Sequence, residues 1–482
     1  MASRTRLRPV PGSICAPNGF RAAAVFCGIK TLGTGKGSDK GQKRDLGLIL
    51  SDVPAAVAGL FTTNQVCAAP VQVSRKVAAR NWARGIVVNS GNANAATGAH
   101  GLRDAEAMAQ LAASSVAALY DRRKSSGGNA TTLAGRGNSA GSRISARDIL
   151  VASTGRIGVL MPMSQVERGI RACPPLLERS VAAAAALAEA IMTSDTGRKQ
   201  IAVEFKLGGR PVRIGGVCKG AGMIQPRMSA GPAVAAPLRR QAGIPRHHRP
   251  SARHATMLAF ITSDVAITPA LLKSSLIAAV NNSFNRITVD GDMSTNDSVI
   301  ALANGLAGNP LVKSRSPDFQ TFQRALDHVC LRLAQMIVRD GEGVSRFVTV
   351  HVRNAATARD AELVGRAVAG SSLVRTSWCG GDPNWGRILC ATGYSGASIR
   401  EHLVDIGYSA PGDATILYAF RRGRPTPVPF AVLARLTSRS EFDVHIDLHR
   451  GKSEFTMFAS DLTEEYVAFN KGDITDPDSL GG

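Results

Sequence analysis

Aromatic side chains are scarce: the 482 residues hold three Trp, five Tyr and 15 Phe. No aromatic-studded basic motif of the kind that stacks on nucleobases occurs. Long apolar runs are missing as well. The best candidate, Ser180 to Met192, is mostly alanine and is interrupted by Glu189, so no membrane span of about 18 residues is expected. The eight cysteines form no Cys-x-x-Cys pair and no regular spacing, which reads as free thiols in a reducing compartment. An apolar secretory h-region is also lacking. The acid-free, Arg-rich start (Arg4, Arg6, Arg8, Arg21) fits an organelle presequence and equally a ragged N-terminus. The mitochondrial matrix is the expected location, with plastid or cytoplasm as alternatives.

Negative charge is the scarcer sign, 36 acids against 58 Lys and Arg, a formal charge of +22. That excess would indicate a polyanion partner if it lay along one folded face. It is instead concentrated in residues 1–38, 122–147 and 229–254, which carry six, six and five basic residues and no acid. The last two stretches read as low-complexity inserts, so no nucleic-acid partner is expected.

Several local signals fail on chemistry. Gly451-Lys452-Ser453 lacks the phosphate-loop glycine five residues earlier, where Ile446 stands. The glycine-rich Gly33 to Gly37 opens no helix. Asp290-Gly291-Asp292 begins like a calcium loop, but Thr295 and Ala301 occupy its turn-glycine and twelfth positions. His247, His248 and His254 have no thiol or carboxylate neighbours, so no metal site is expected. There is no His-Glu-x-x-His and no Gly-x-Ser-x-Gly.

What is present is an α/β pattern. Leu46 to Leu50, Val57 to Phe61, Gly85 to Val88, Ile149 to Ala152, Met257 to Ile261 and Phe347 to Val352 read as strands. Asp104 to Leu119, Leu176 to Met192, Pro269 to Val280, Phe319 to Val338 and Arg359 to Ala369 read as helices. The fourth helix carries Phe322, Ala325, Leu326, Val329 and Leu333 at three-to-four spacing, one buried face. The final third reads as a smaller unit, dividing the chain into 1–350 and 351–482.

Small polar residues gather in glycine-rich turns: Asn89-Ser90-Gly91-Asn92-Ala93-Asn94, Ser153-Thr154-Gly155, Thr193-Ser194-Asp195-Thr196, Lys219-Gly220-Ala221-Gly222 and Asp340-Gly341-Glu342-Gly343. Convergent N–H and hydroxyl donors hold an oxyanion, so these turns together suggest acyl transfer. Ala255-Thr256-Met257 places a threonine at the head of an apolar strand. Such a hydroxyl can attack its own preceding carbonyl, cut the chain, and gain a free α-amine as its base. From this segment alone, a plain strand threonine is the favoured reading.

The segments GFRAAAVFCGIK, SDVPAAVAGLFTTNQVCAAPV, IVVNSGNANAATG, DAEAMA, VASTGRIG, IMTSDT, KGAGMIQPRM, ATMLAFITSD, SFNRITVDGDMSTNDS, DGEG and DPNWGRI resemble, in order, the ornithine acetyltransferase family. These are bifunctional glutamate N-acetyltransferases and amino-acid acetyltransferases of arginine biosynthesis. The resemblance covers nearly the whole chain outside the inserts. It implies an αββα sandwich with a smaller C-terminal α/β domain, self-cleavage between Ala255 and Thr256, and Thr256 as nucleophile. Acetyl then passes from N-acetylornithine to glutamate by ping-pong, releasing ornithine and N-acetylglutamate. Thr154 and Gly155 match the oxyanion-hole pair. Lys219, Thr256, Glu342, Asn470, Thr475 and either Thr193 or Thr196 match substrate-binding positions. The assembly implied is a tetramer of two α and two β chains. No cofactor is implied beyond acetyl-CoA as a second acetyl donor.

The family places its lysine eleven residues before the nucleophile, whereas Lys219 and Thr256 are 37 apart; removing residues 229–254 restores eleven. That block reads as a looped-out insert or a translated intron. Ala96, Arg156, Arg375 and the segment AFNKGDIT also depart from the pattern. An N-terminal-threonine aminopeptidase or amidase would share the nucleophile and oxyanion hole, and a basic binding module is the non-enzyme alternative.

Overall fold

The computed structural model describes residues 7–30, 43–125, 144–231 and 256–471. Ten strands form the first sheet: β1 (Arg8–Pro9), β2 (Phe20–Val25), β3 (Leu46–Thr62), β4 (Trp82–Asn92), β5 (Ile149–Arg156), β6 (Lys199–Leu207), β7 (Arg210–Lys219), β8 (Met228–Ser229), β9 (Leu258–Ser263) and β11 (Ser298–Ala303). The order is β1-β6-β7-β9-β11-β3-β4-β5, with β2 and β8 also paired to β3. The second sheet gathers β10 (Ile287–Thr288), β12 (Phe347–Ala355), β13 (Asp405–Ser409), β14 (Leu417–Arg421), β15 (Arg424–Pro425), β16 (Glu441–Asp447) and β17 (Ser453–Ser460).

Strand alternation shows how the first sheet is layered. Leu46, Leu48 and Leu50 pack with Met108, Ala112 and Val116 of the helix Gly98–Ser125. Beyond Pro54 the same strand turns Ala56, Ala58 and Leu60 toward Leu276, Phe322 and Val329 of the helices Pro269–Asn281 and Pro317–Arg339. Between these two helix layers, Ile49, Ile86, Val88 and Leu150 share a core with Val217, Leu258, Phe260 and Ile300. The sheet is folded over at β3, because a contact joins its distant parts. Five strand steps separate β7 from β5, about 24 Å in a flat sheet, yet Lys219 Nζ lies 3.3 Å from Thr154 Oγ1. The result is the αββα sandwich.

Two strands were expected where β3 runs as one 17-residue strand. The exposed Pro54 sits at a register shift between Leu50 and Ala55, where the ladder needs no N–H from it. The helix expected over Leu176–Met192 is shorter, Val181–Ala190, because the Ser180 side chain caps it by accepting from Ala183 N at 3.0 Å. The fourth helix buries its expected stripe, with Phe322, Ala325, Leu326, Val329 and Leu333 at most 1% exposed.

β12 crosses residue 350, the division drawn from the sequence. The block 229–254 begins inside β8, where Ser229 pairs with Phe61; its residues from 232 lie outside the described residues, as does most of 122–147. All eight cysteines are free thiols. Among the described residues, no helix is long and apolar enough to cross a membrane.

Candidate functional site

The fold-over brings the ends of β5, β7 and the approach to β9 together. Lys219, paired in register with Leu258, ends β7 with a wholly buried side chain. Its Nζ donates to Thr193 Oγ1 at 2.7 Å and Thr154 Oγ1 at 3.3 Å and lies 3.8 Å from Asp195 Oδ2. Burial pulls the Lys219 ammonium below its ordinary pKa, against the nearby Asp195 charge. Burial would also raise Asp195, but the Lys219 and Lys199 ammoniums and the Gly220 N–H (2.7 Å) overcome it and hold this carboxyl well below the usual range. Lys199 bridges Asp195 (2.6 Å) and Asp340.

Glu342 lies on the other side of Ser194 and Asp195 from Lys219 in the same cluster of turns. Ser194 Oγ donates to its Oε1 at 2.6 Å and Asn470 Nδ2 to its Oε2 at 3.1 Å. Burial raises its carboxyl pKa. A Cβ at Gly222 would fall 2.5 Å from Glu342 Oε2, so only glycine lets the carboxylate lie against that backbone.

Thr154 and Gly155 lie at the end of β5, beside Ser90 and Gly91 of β4. Gly155 has φ +135°, and a Cβ there would meet the Gly91 carbonyl carbon at 2.2 Å. The residues Asn89 to Asn92, read from the sequence as a turn, instead finish β4. Their side chains brace this region: Asn89 Oδ1 accepts from Ser153 Oγ at 2.6 Å, and Asn92 Nδ2 donates to Val159 O and Leu160 O.

Thr256, 1% exposed, precedes β9. Its Oγ1 is 2.9 Å from Ser294 Oγ. Ser294 also accepts from Asn296 N at 3.1 Å, and Asn296 Nδ2 donates to Ala93 O and Ser153 O at 2.7 and 2.9 Å. The turn that touches the Thr256 hydroxyl is thereby clamped to the residue before Thr154. Asp297 accepts from Met257 N at 2.9 Å. Burial pushes its carboxyl up to about 8, against N–H donation from Met257 and Ser294 and the charge of Lys219.

The structure thus brings Thr154, Thr193, Lys219, Glu342 and Asn470 into one bonded cluster, with Gly155 and Thr256 on its flanks. It separates the two threonine candidates: Thr193 bonds Lys219, while the exposed Thr196 hydroxyl bonds Asp340. Ala255 and Thr475 lie outside the described residues. Sequence reasoning assigned no part to Asp195, Lys199, Ser294, Asn296 or Asp297. The i,i+4 spacing of Asp195 and Lys199, and a Ser-Thr-Asn-Asp run just before an apolar strand, were the available signals. Among the described residues, no group of three or more His, Cys, Asp or Glu stands where it could hold a metal ion.

A family model described as the ArgJ family matches residues 21–472. The chain is 42% identical over 459 residues to the arginine biosynthesis bifunctional protein ArgJ of Symbiobacterium thermophilum, covering 95% of this chain and 98% of that one. It is 36% identical over 467 residues to the protein of the same name from Shouchella clausii, covering 96% and 97%. Among solved structures, an ornithine acetyltransferase of Mycobacterium tuberculosis, crystallised with ornithine, is 33% identical; the match covers 47% of this chain and 100% of that chain at a TM-score of 0.38.

Proposed function

We propose, from the premise that this chain belongs to the ArgJ family, that Thr256 carries the acetyl group between two amines bound in the pocket of Lys219 and Glu342. The chain is an acetyltransferase of arginine biosynthesis, an ornithine acetyltransferase and glutamate N-acetyltransferase, and enzymes of this family act on ornithine, acetylornithine and glutamate. The observation that carries the residue assignment is the buried Lys219 ammonium, held by the hydroxyls of Thr154 and Thr193 across a cluster that ends at Glu342. A cation and an anion in one buried pocket suit an α-amino acid or a diamino acid, whose carboxylate pairs with one and whose ammonium pairs with the other.

The chemistry then runs in two matched halves. With the bond before Thr256 cut, its α-amine takes the hydroxyl proton as Oγ1 attacks the acetyl carbonyl. The resulting oxyanion is held by Thr154 Oγ1 and the Gly155 N–H. The C–N bond breaks, the α-amine returns the proton to the departing ornithine nitrogen, and acetyl remains as an ester on Thr256. The glutamate amine attacks that ester; the α-amine takes its proton and passes it to Oγ1 as the C–O bond breaks, which restores the hydroxyl and releases N-acetylglutamate. We include in this reading the self-cleavage itself and the pairing of two cleaved chains into an α2β2 tetramer.

Mass analysis of the purified protein tests it. The expected result is two chains meeting at Thr256, the second gaining one acetyl group when N-acetylornithine is added without glutamate and losing it when glutamate follows. An intact chain that turns over, or acetyl on another residue, overturns the assignment.

A further inference from the structure

A cleft of about 340 Å3, away from the Lys219 cluster, opens between the first sheet and the helix Ala358–Gly370. From the sheet side come Arg227 and Met228; from the helix come Arg359, Leu363 and Arg366. Among the described residues the only carboxylate in the lining is Glu362, and it is already engaged, accepting from Arg366 Nε at 2.7 Å. Arg366 Nη2 donates to Asn285 O at 2.9 Å, and its buried Nη1 has no partner among the described residues. The exposed guanidiniums of Arg227 and Arg359 form no ion pair with a carboxylate among the described residues.

Three guanidiniums against one carboxylate leave the cleft with uncompensated positive charge. Partial burial, and then the Arg366 charge, hold Arg227 below its ordinary pKa against the weaker pull of Glu362; nearby Arg286 is lowered by burial, with Glu362 opposing and Arg366 adding to the shift. Other surface arginines of this chain do find carboxylates, as Arg21 does on Asp52 and Arg339 on Glu441. The planar guanidinium fork matches carboxylate and phosphate oxygens. Met228 and Leu363 add an apolar wall, and the volume lies in the range of small-molecule sites.

We propose that this cleft binds a small organic anion, a carboxylate or phosphate group on a compact body, at a site separate from the Thr256 pocket. The two sites share a wall through consecutive residues. Thr63, which lines the cleft, donates from Oγ1 to Arg227 O at 2.9 Å; its neighbour Thr62 donates from Oγ1 to Ser294 O at 2.7 Å, and Ser294 touches Thr256.

Calorimetric titration of the purified protein with citrate and, separately, with pyrophosphate tests the proposal, at constant ionic strength set with chloride. The expected result is saturable binding of at least one probe with one site per chain, and the probe that binds tells carboxylate from phosphate recognition. Arg359→Ala and Arg227→Ala should each weaken binding at least tenfold, with circular dichroism unchanged, whereas Thr256→Ala and added glutamate should leave it intact. No saturable binding of either probe, equal binding in both arginine variants, or displacement by glutamate would overturn the proposal.

Discussion

Where the second sheet fills its interior with rings, Trp378 edge-on to Phe442 at 6.4 Å and Tyr408 beside them, the first sheet spends comparable depth on Lys219, Asp195, Lys199, Thr154, Thr256 and Asp297. The ring-filled interior is mostly apolar, although Trp378 Nε1 and Tyr408 OH lie buried without a hydrogen-bond partner among the described residues, so its side chains contribute chiefly through area removed from water. The polar interior is the opposite case. A buried ammonium or carboxylate is destabilising unless its bonds are made, and here the hydroxyls of Thr154 and Thr193 and the amide of Gly220 make them. Rate and stability should therefore weigh differently: substitutions of the reacting threonines in the first interior act chiefly on turnover, and those in the second act on folding.

The strongest break of that comparison is Thr256→Ala, which should leave the chain folded and uncut while acetyl transfer falls by at least about ten-thousandfold; gel analysis and a transfer assay read both. In the other interior, Trp378→Ala should cost about 3–5 kcal/mol of unfolding free energy, with turnover per folded molecule unchanged. Denaturant titration beside an activity assay would contradict the separation if the rate fell with the stability.

Thr154→Ala comes next, at about a hundredfold in turnover, or about 3 kcal/mol of barrier. Its stability should shift by less than about 1.5 kcal/mol, since Lys219 keeps Thr193 as a partner. A variant that turns over normally while correctly cleaved would remove Thr154 from the oxyanion site.

The last effect concerns pH. Asp297 ionises at 3.8 in its ordinary state and at about 8 when buried in this fold, so across that window the native chain holds a proton that the unfolded chain has released. The stability it contributes is complete below pH 3.8 and is lost as the pH rises through about 8. Asp297→Asn, which keeps an oxygen for the Met257 N–H, should flatten the fall of the denaturation midpoint between about pH 4 and about pH 8. An unchanged profile would assign that fall to other groups.

Much of this contrast could be read in the sequence. The helix stripe from Phe322 to Leu333 follows from periodicity, and the apolar residues after Thr256 mark a buried strand whichever sheet receives it. Local patterns did not reveal that β3 would bend at Pro54 and carry one sheet into two layers, because that depends on pairing with β11, more than 230 residues later. The site was legible as a set of turns. The threonine of Thr193-Ser194-Asp195-Thr196 that meets Lys219 was not, since the choice depends on the Asp195 carboxylate accepting from Thr193 N at 3.0 Å and turning that residue inward. Asp297 escaped notice for a related reason: an aspartate before an apolar strand looks like an exposed turn residue until folding buries it.

The strand order has a mechanical corollary. β9 and β11 are neighbours in the middle of the first sheet, flanked by β7 and β3, and both follow Thr256 in the chain while their flanking strands precede it. A backbone cut before Thr256 would create two polypeptides, one of which is wedged into the centre of the other's hydrogen-bond ladder. Six register pairs hold β9 to β7 and six hold β11 to β3. Pulling the pieces apart would mean splitting that sheet down its middle and opening the cores on both of its faces, so dissociation of the two chains and unfolding of the enzyme would be one event, with one barrier and one rate.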